Sequence, residues 1–251
     1  MSNVHQDAVI PHDSLNQTLK LMRYAVYCTP KTGHPLLTSI EPWFGRSAFG
    51  RQVATQPGPF SSEEHTALTA SRARYGFHAT FKAPFHLAAG YDADKLPLVL
   101  KGLATRLPTI HVGKLRVARF GDYLALTPIN QPQALTDLAQ SVVEAFEPAR
   151  APLSDHDLAR RDKPDLSERE RELLLRWGYA ASEENFKFHM TLAGPVGTDL
   201  LNRAKAYLSE LLAPVLAEPF LLDTLALFVE PDPPGPFNII AEATLTDQIA
   251  N

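Results

Sequence analysis

Two short segments of the chain carry residue types that could do chemistry together. Phe77-His78-Ala79-Thr80-Phe81-Lys82-Ala83-Pro84 and Phe188-His189-Met190-Thr191-Leu192-Ala193-Gly194-Pro195 share one frame: aromatic, His, any residue, Thr, apolar, any residue, small, Pro. The chain has nine histidines, so a lone His-x-Thr would mean little. A doubled one in a matched frame is hard to assign to chance. An imidazole, with an unperturbed pKa of about 6.5, takes and gives protons near neutrality, and a threonine hydroxyl beside it can donate to an anion. Two such pairs facing one another suit in-line phosphoryl transfer without a metal. One neutral histidine takes a proton from water, the other, protonated, supplies the departing oxygen, and the hydroxyls of Thr80 and Thr191 donate to the phosphate oxygens. A five-membered cyclic phosphate, compact and strained, fits that arrangement. Lys82 has the strand parity of His78 and is a further candidate phosphate contact, although its counterpart Ala193 carries no charge.

The elements that must position these groups repeat as well. Residues i and i+2 of a strand share a face. His78 and Thr80 therefore project to one side, as do His189 and Thr191, while Phe77, Ala79, Phe81, Phe188, Met190 and Leu192 turn to a buried one. Upstream, Tyr24 to Pro30 resembles Tyr123 to Pro128; each is an apolar run ended by Thr-Pro, because proline cannot donate to a continuing ladder. Tyr24 and Tyr123 occupy matching positions and read as packing residues. Downstream, Ala93 to Leu107 and Thr198 to Leu212 have helical spacing of leucine and alanine, with Thr198 or Asp199 as the expected cap of the second. Strand-like runs follow, Ile110 to Phe120 and Phe220 to Glu230, each leading through a turn to another strand, Tyr123 to Thr127 and Phe237 to Leu245.

This pattern predicts an α+β, bilobal fold with an approximate twofold, in which two antiparallel sheets face a central cleft and the helices lie outside. Residues 1–17 read as a disordered tail, 18–121 as an N-terminal lobe and 122–251 as a C-terminal lobe, together one unit. The matching tyrosines are 99 residues apart and the histidines 111, so the second copy is 12 residues longer somewhere between Phe146 and Asn185. The excess falls in a charged segment, about 150–180, where Ser167-Glu168-Arg169-Glu170 reads as a capping box opening a helix that ends before Gly178. The plain reading is a helical surface insertion. The sharper one is a lid, in which Arg160 or Arg161 reaches a bound anion and the segment governs substrate choice.

The longer strings Arg74-Tyr75-Gly76-Phe77-His78-Ala79-Thr80-Phe81-Lys82 and Asn185-Phe186-Lys187-Phe188-His189-Met190-Thr191-Leu192 carry a family resemblance. The doubled motif resembles the 2H phosphoesterase superfamily over most of the chain, from about Arg23 to Leu245. The strings look like the branch that accompanies bacterial phosphonate-utilisation gene clusters. The resemblance implies that His78 and His189 are catalytic, that Thr80 and Thr191 bind phosphate, and that neither metal nor cofactor takes part. Some superfamily members act on RNA ends with 2′,3′-cyclic phosphates or on 2′,5′ linkages. The phosphonate context favours a small phosphorylated sugar or related metabolite instead.

Composition narrows the field further. The chain has 251 residues, 45% hydrophobic and 21% charged, with a formal net charge of -4. That balance suits a globular protein and argues against a general nucleic-acid coat, which needs a basic face. A small phosphorylated substrate is therefore favoured over nucleic acid as partner. Cys28 is the single cysteine, so no internal disulfide or cysteine-rich zinc site can form. No apolar run reaches the length of a membrane span and no basic-then-apolar leader is evident, which makes the cytoplasm the expected location. The absence of metal-spaced histidines disfavours a metallohydrolase. The remaining alternative is a binding module, with both pairs merely holding the phosphate of a ligand. His34, His86, His111 and His156 lack a partner pattern and read as structural or surface residues.

Overall fold

A computed structural model describes residues 21–247 of the chain; the tail expected over 1–17 lies outside the described residues. Among the described residues the apolar runs become nine strands: β1 (Arg23–Cys28), β2 (Ala79–Phe85), β3 (Ile110–Gly113), β4 (Leu115–Phe120), β5 (Tyr123–Pro128), β6 (Met190–Ala193), β7 (Phe220–Leu222), β8 (Thr224–Glu230) and β9 (Asn238–Thr244). Seven pair antiparallel in one sheet, in the order β4-β5-β6-β2-β1-β8-β9, while β3 and β7 form a two-stranded sheet. The α+β class and the antiparallel pairing agree with the sequence reading, but the halves do not stay as separate sheets. They join at β2 and β6, where Ala79 pairs with Met190. Edge-to-edge joining satisfies backbone groups that two free edges would leave open.

Hydrogen bonding also crosses the repeat. β4, which follows the first motif, pairs with β5, and β8, which follows the second, pairs with β1. Each half of the large sheet is thus completed by a strand from the other half. The runs expected as single strands, 110–120 and 220–230, break in two at Gly113-Lys114 and at Asp223. The first piece of each enters the small sheet and the second piece the large one.

Seven α-helices accompany the strands among the described residues: α1 (Pro35–Phe44), α2 (Ser62–Ala73), α3 (Leu96–Ala104), α4 (Gln133–Phe146), α5 (Asp155–Arg161), α6 (Glu168–Trp177) and α7 (Thr198–Leu216). α6 follows its sequence signals closely. Ser167 caps it in a reciprocal capping box with Glu170, and Gly178 closes it at φ 73°, a left-handed conformation that costs glycine nothing. α7 departs from expectation at its cap. Gly197 takes that position without a side-chain bond, and Thr198 and Asp199 fall inside the first turn, where an acidic group still favours the helix dipole.

Strand alternation divides the buried residues. Val26, Cys28, Phe81, Leu126, Met190 and Leu192 face one side of the sheet and form the main core with Trp43, Leu68, Phe146 and Leu208 from the helices. Ala25, Tyr27, Ala226 and Phe228 face the other side with Ala48 and Phe237. The helices therefore press the sheet from its core face and leave the opposite face of β2 and β6 to line a cleft.

Candidate functional site

The two His-x-Thr segments lie side by side at the centre of the large sheet. Each histidine sits one residue before its strand, at the entrance to β2 or β6. Extending the Ala79–Met190 pairing by one residue each way sets His78 opposite Thr191 and Thr80 opposite His189. Directly opposed residues of an antiparallel pair share a face, so all four side chains point into one space. They line a cavity of about 270 Å³ with Arg23, Tyr27, Arg72, Tyr75, Arg160, Arg161 and Tyr179 among its other walls.

The backbone fixes both rings in the same way. His78 Nδ1 lies 2.9 Å from the Gly76 carbonyl and His189 Nδ1 lies 2.7 Å from the Lys187 carbonyl. A carbonyl only accepts, so each Nδ1 must carry the proton, and each Nε2 is left to exchange one. Gly76 makes this turn possible. Its φ is +72°, and a Cβ there would approach the Ala48 Cβ to 2.7 Å.

The surroundings of the two rings differ. Tyr27 stacks on His78 with centroids 3.9 Å apart and planes at 21°. In register Tyr27 pairs with Thr80, and the matching position beside Thr191 is Ala125. That small side chain leaves the face of the second ring open, and Phe120 of β4 fills it, stacking on His189 at 4.2 Å and 16°. Burial pushes His78 down to about 4, and the nearby His189 and Arg72 charges push the same way. His189 is lowered as well, by burial first and then by Arg72.

One cation does not fall where strand parity placed it. Lys82 was expected on the histidine side of β2. Instead a β-bulge interrupts the alternation: Tyr27 pairs with Thr80 but Val26 pairs with Lys82, so Lys82 joins the core face. Its amine bonds Glu147 at 2.5 Å and the carbonyls of Val143 and Trp177, and burial lowers it to about 8. Arg74 also turns away from the cavity, to Glu230 and the Gly235 carbonyl. Arg160 does line the cavity, paired with Asp157 at 3.1 Å. Arg161 lines it too, donating to the Gly178 and Pro84 carbonyls at 2.6 and 2.9 Å. The inserted segment thus supplies Arg160, Arg161 and Tyr179 to the wall. Tyr24 packs against Phe85 in the core, as a packing residue should.

Sequence reasoning missed Arg72, Tyr27, Tyr75, Phe120 and Tyr179. Tyr27 has the right parity within its run and was legible in principle; the others come from elements whose packing no local signal reveals. Among the described residues, none of the cavity's lining side chains is a carboxylate, and no group of three or more His, Cys, Asp or Glu stands ready to hold a metal ion. No described helix is long and apolar enough to cross a membrane.

The chain belongs to the family described as Protein of unknown function (DUF1045), which matches residues 80–238. It is 34% identical over 229 residues to a protein of Janthinobacterium sp. (strain Marseille) named ribose 1,5-bisphosphate phosphokinase PhnN, covering 86% of this chain and 49% of that protein. A protein of the same name from Laribacter hongkongensis (strain HLHK9) is 32% identical over 222 residues, covering 87% of this chain and 50% of that one. The chain therefore spans about half the length of the curated relatives it matches. Among solved structures, E. coli LigT complexed with ATP aligns at 12% identity and TM-score 0.45, over 90% of this chain and 98% of that one.

Proposed function

We propose that the protein is a metal-independent phosphodiesterase that hydrolyses a cyclic or diester phosphate on a small phosphorylated metabolite. The observation that carries this reading is the reciprocal register, in which each histidine stands across from the other motif's threonine with its Nδ1 tied to a backbone carbonyl. Two imidazoles with free Nε2 atoms and two hydroxyls are what in-line displacement at phosphorus needs. His78 is the base, since burial under Tyr27 keeps its lone pair free. It removes the proton from water as the oxygen attacks phosphorus. His189, in its protonated form, gives its Nε2 proton to the ester oxygen as the P–O bond breaks. Thr80 and Thr191 donate to the non-bridging oxygens.

A phosphorylated sugar is the favoured substrate class, because the curated relatives are named for a kinase of ribose 1,5-bisphosphate. Arg160, Arg161 and Tyr179 on the inserted segment are the residues we assign to substrate choice. The test is a screen of purified protein against small sugar cyclic phosphates and 2′,3′-cyclic nucleotides, with identification of the product. Turnover that vanishes in His78→Ala and His189→Ala supports the reading. Tight binding of a cyclic phosphate without turnover would make the protein a binding module instead.

A further inference from the structure

Among the described residues, one cavity arginine, Arg72, has no partner to explain it. Arg23 is held by Glu230, Arg160 by Asp157, and Arg161 by two backbone carbonyls. Arg72 has neither a carboxylate nor a carbonyl. Its Nε is buried without a hydrogen-bond partner, and its guanidinium lies 4.5 Å from the centre of the Tyr123 ring. Buried polar groups in folded proteins are nearly always bonded, so an arginine in a cavity wall with no acceptor among the described residues points to a ligand that supplies one. The attachment of α2 adds to this. The Gly194 amide donates to the Leu68 carbonyl at 2.9 Å, and Ser71 Oγ donates to the Gly194 carbonyl at 3.3 Å. Arg72 follows directly, and Gly76, which holds the His78 ring, comes four residues later. It therefore sits on the short piece of chain that links the exit of one motif to the entrance of the other.

From this placement we infer that Arg72 is a direct ligand of the reacting phosphate, donating guanidinium N–H groups to its non-bridging oxygens. The assignment rests on the phosphodiesterase reading for its chemistry but only on anion binding for its geometry. As water attacks, its proton passes to one histidine, the ester P–O bond breaks, and the leaving oxygen takes the proton of the other. Charge gathers on the equatorial oxygens in between. Neither threonine brings positive charge to them, and Lys82 is committed to Glu147 on the far face of the sheet. A planar guanidinium set over a tyrosine ring supplies both charge and a fork of donors. The influence of Arg72 on both imidazoles agrees with a location beside the pair.

The experiment uses Arg72→Ala, Arg72→Gln and Arg72→Lys, with adenosine 2′,3′-cyclic phosphate for turnover and inorganic phosphate for calorimetric binding. Circular dichroism checks that each variant folds. Arg72→Ala should lower kcat by about 10²–10³, the span for losing one donor to a developing anion, and should abolish phosphate binding. Both limbs of its kcat/KM profile should move alkaline, because removing a neighbouring cation favours the protonated imidazoles. That shift reports a cation beside the pair, and the loss of phosphate binding reports that the cation is a ligand. Arg72→Lys should restore part of the rate, and Arg72→Gln, which keeps the side chain's length and polarity without the charge, should not. If the wild type hydrolyses no cyclic phosphate yet binds inorganic phosphate through Arg72, the phosphodiesterase reading falls and this assignment stands. A folded Arg72→Ala protein that binds phosphate as the wild type does, or a wild type that binds none at millimolar concentration, overturns the assignment.

Discussion

The first and second motifs are near copies in backbone and unlike in surroundings. Both rings hang from a carbonyl two residues upstream, and both lie under an aromatic ring. Yet His78 is covered by a buried tyrosine from the neighbouring strand, with the buried Phe228 beside both rings, 4.8 Å from the tyrosine and 6.3 Å from the imidazole between centroids. His189 is covered instead by a half-buried phenylalanine that reaches across an alanine position. The shared features fix geometry, and the differing ones fix protonation. A symmetric pair would have no preference for which ring is base and which is acid. The comparison therefore locates the proposed division of labour in Tyr27, Ala125 and Phe120 rather than in the motifs themselves.

The largest effect comes from removing a ring. His78→Ala and His189→Ala should each lower the rate by about 10²–10⁴, the usual worth of a general acid or base. A nitrophenyl diester, whose leaving group needs no proton, separates the roles. On it His189→Ala should recover much of its loss and His78→Ala should not; the reverse pattern would exchange the assignments. Next come the hydroxyls. Thr80→Val and Thr191→Val should each cost about tenfold in kcat, the size of one neutral hydrogen bond. Losses as large as those of the histidines would mean that the hydroxyls do more than bind phosphate.

How much of this was legible in the sequence depends on the distance over which each signal acts. The paired frames, the α6 capping box and its closing glycine are local patterns, and local physics decides them. The capping box Ser61–Glu64 that opens α2 is equally local and was overlooked. The exchange of β4 and β8 between halves depends on which edges meet in space, and no residue in either run announces it. Lys82 shows the limit of parity most clearly: one extra residue in the bulge sends it to the opposite face. Arg72 lies in α2, outside the segments whose repetition found the histidines, so that repeat could not find it.

Subtler changes sharpen the comparison between the rings. Tyr27→Ala should open His78 to solvent and raise its pKa from about 4 toward the ordinary 6.5, readable by NMR titration of the imidazole. Phe120→Ala should move His189 upward by less, because the second ring is less deeply covered. Equal shifts would dissolve the asymmetry. At the small end, Lys82→Met should leave kcat within about twofold of wild type, since the amine serves the Glu147 pair on the core face; losing one partner of that pair should cost stability rather than turnover, and Arg150 still pairs the carboxylate. A large loss of kcat in a stable Lys82→Met protein would return the lysine to the cleft.

The central claim is that two imidazoles share one working proton, and the pH dependence of wild-type turnover tests it most directly. Only the singly protonated pair is productive, so kcat/KM should trace a bell whose limbs belong to the coupled pair. With burial lowering both rings, that bell should lie on the acid side of 6.5. Bound phosphate favours the protonated forms and raises both values, so the kcat profile should sit alkaline of the kcat/KM profile. A rate flat from about pH 5 to about pH 9, the range over which imidazoles titrate, would contradict the account.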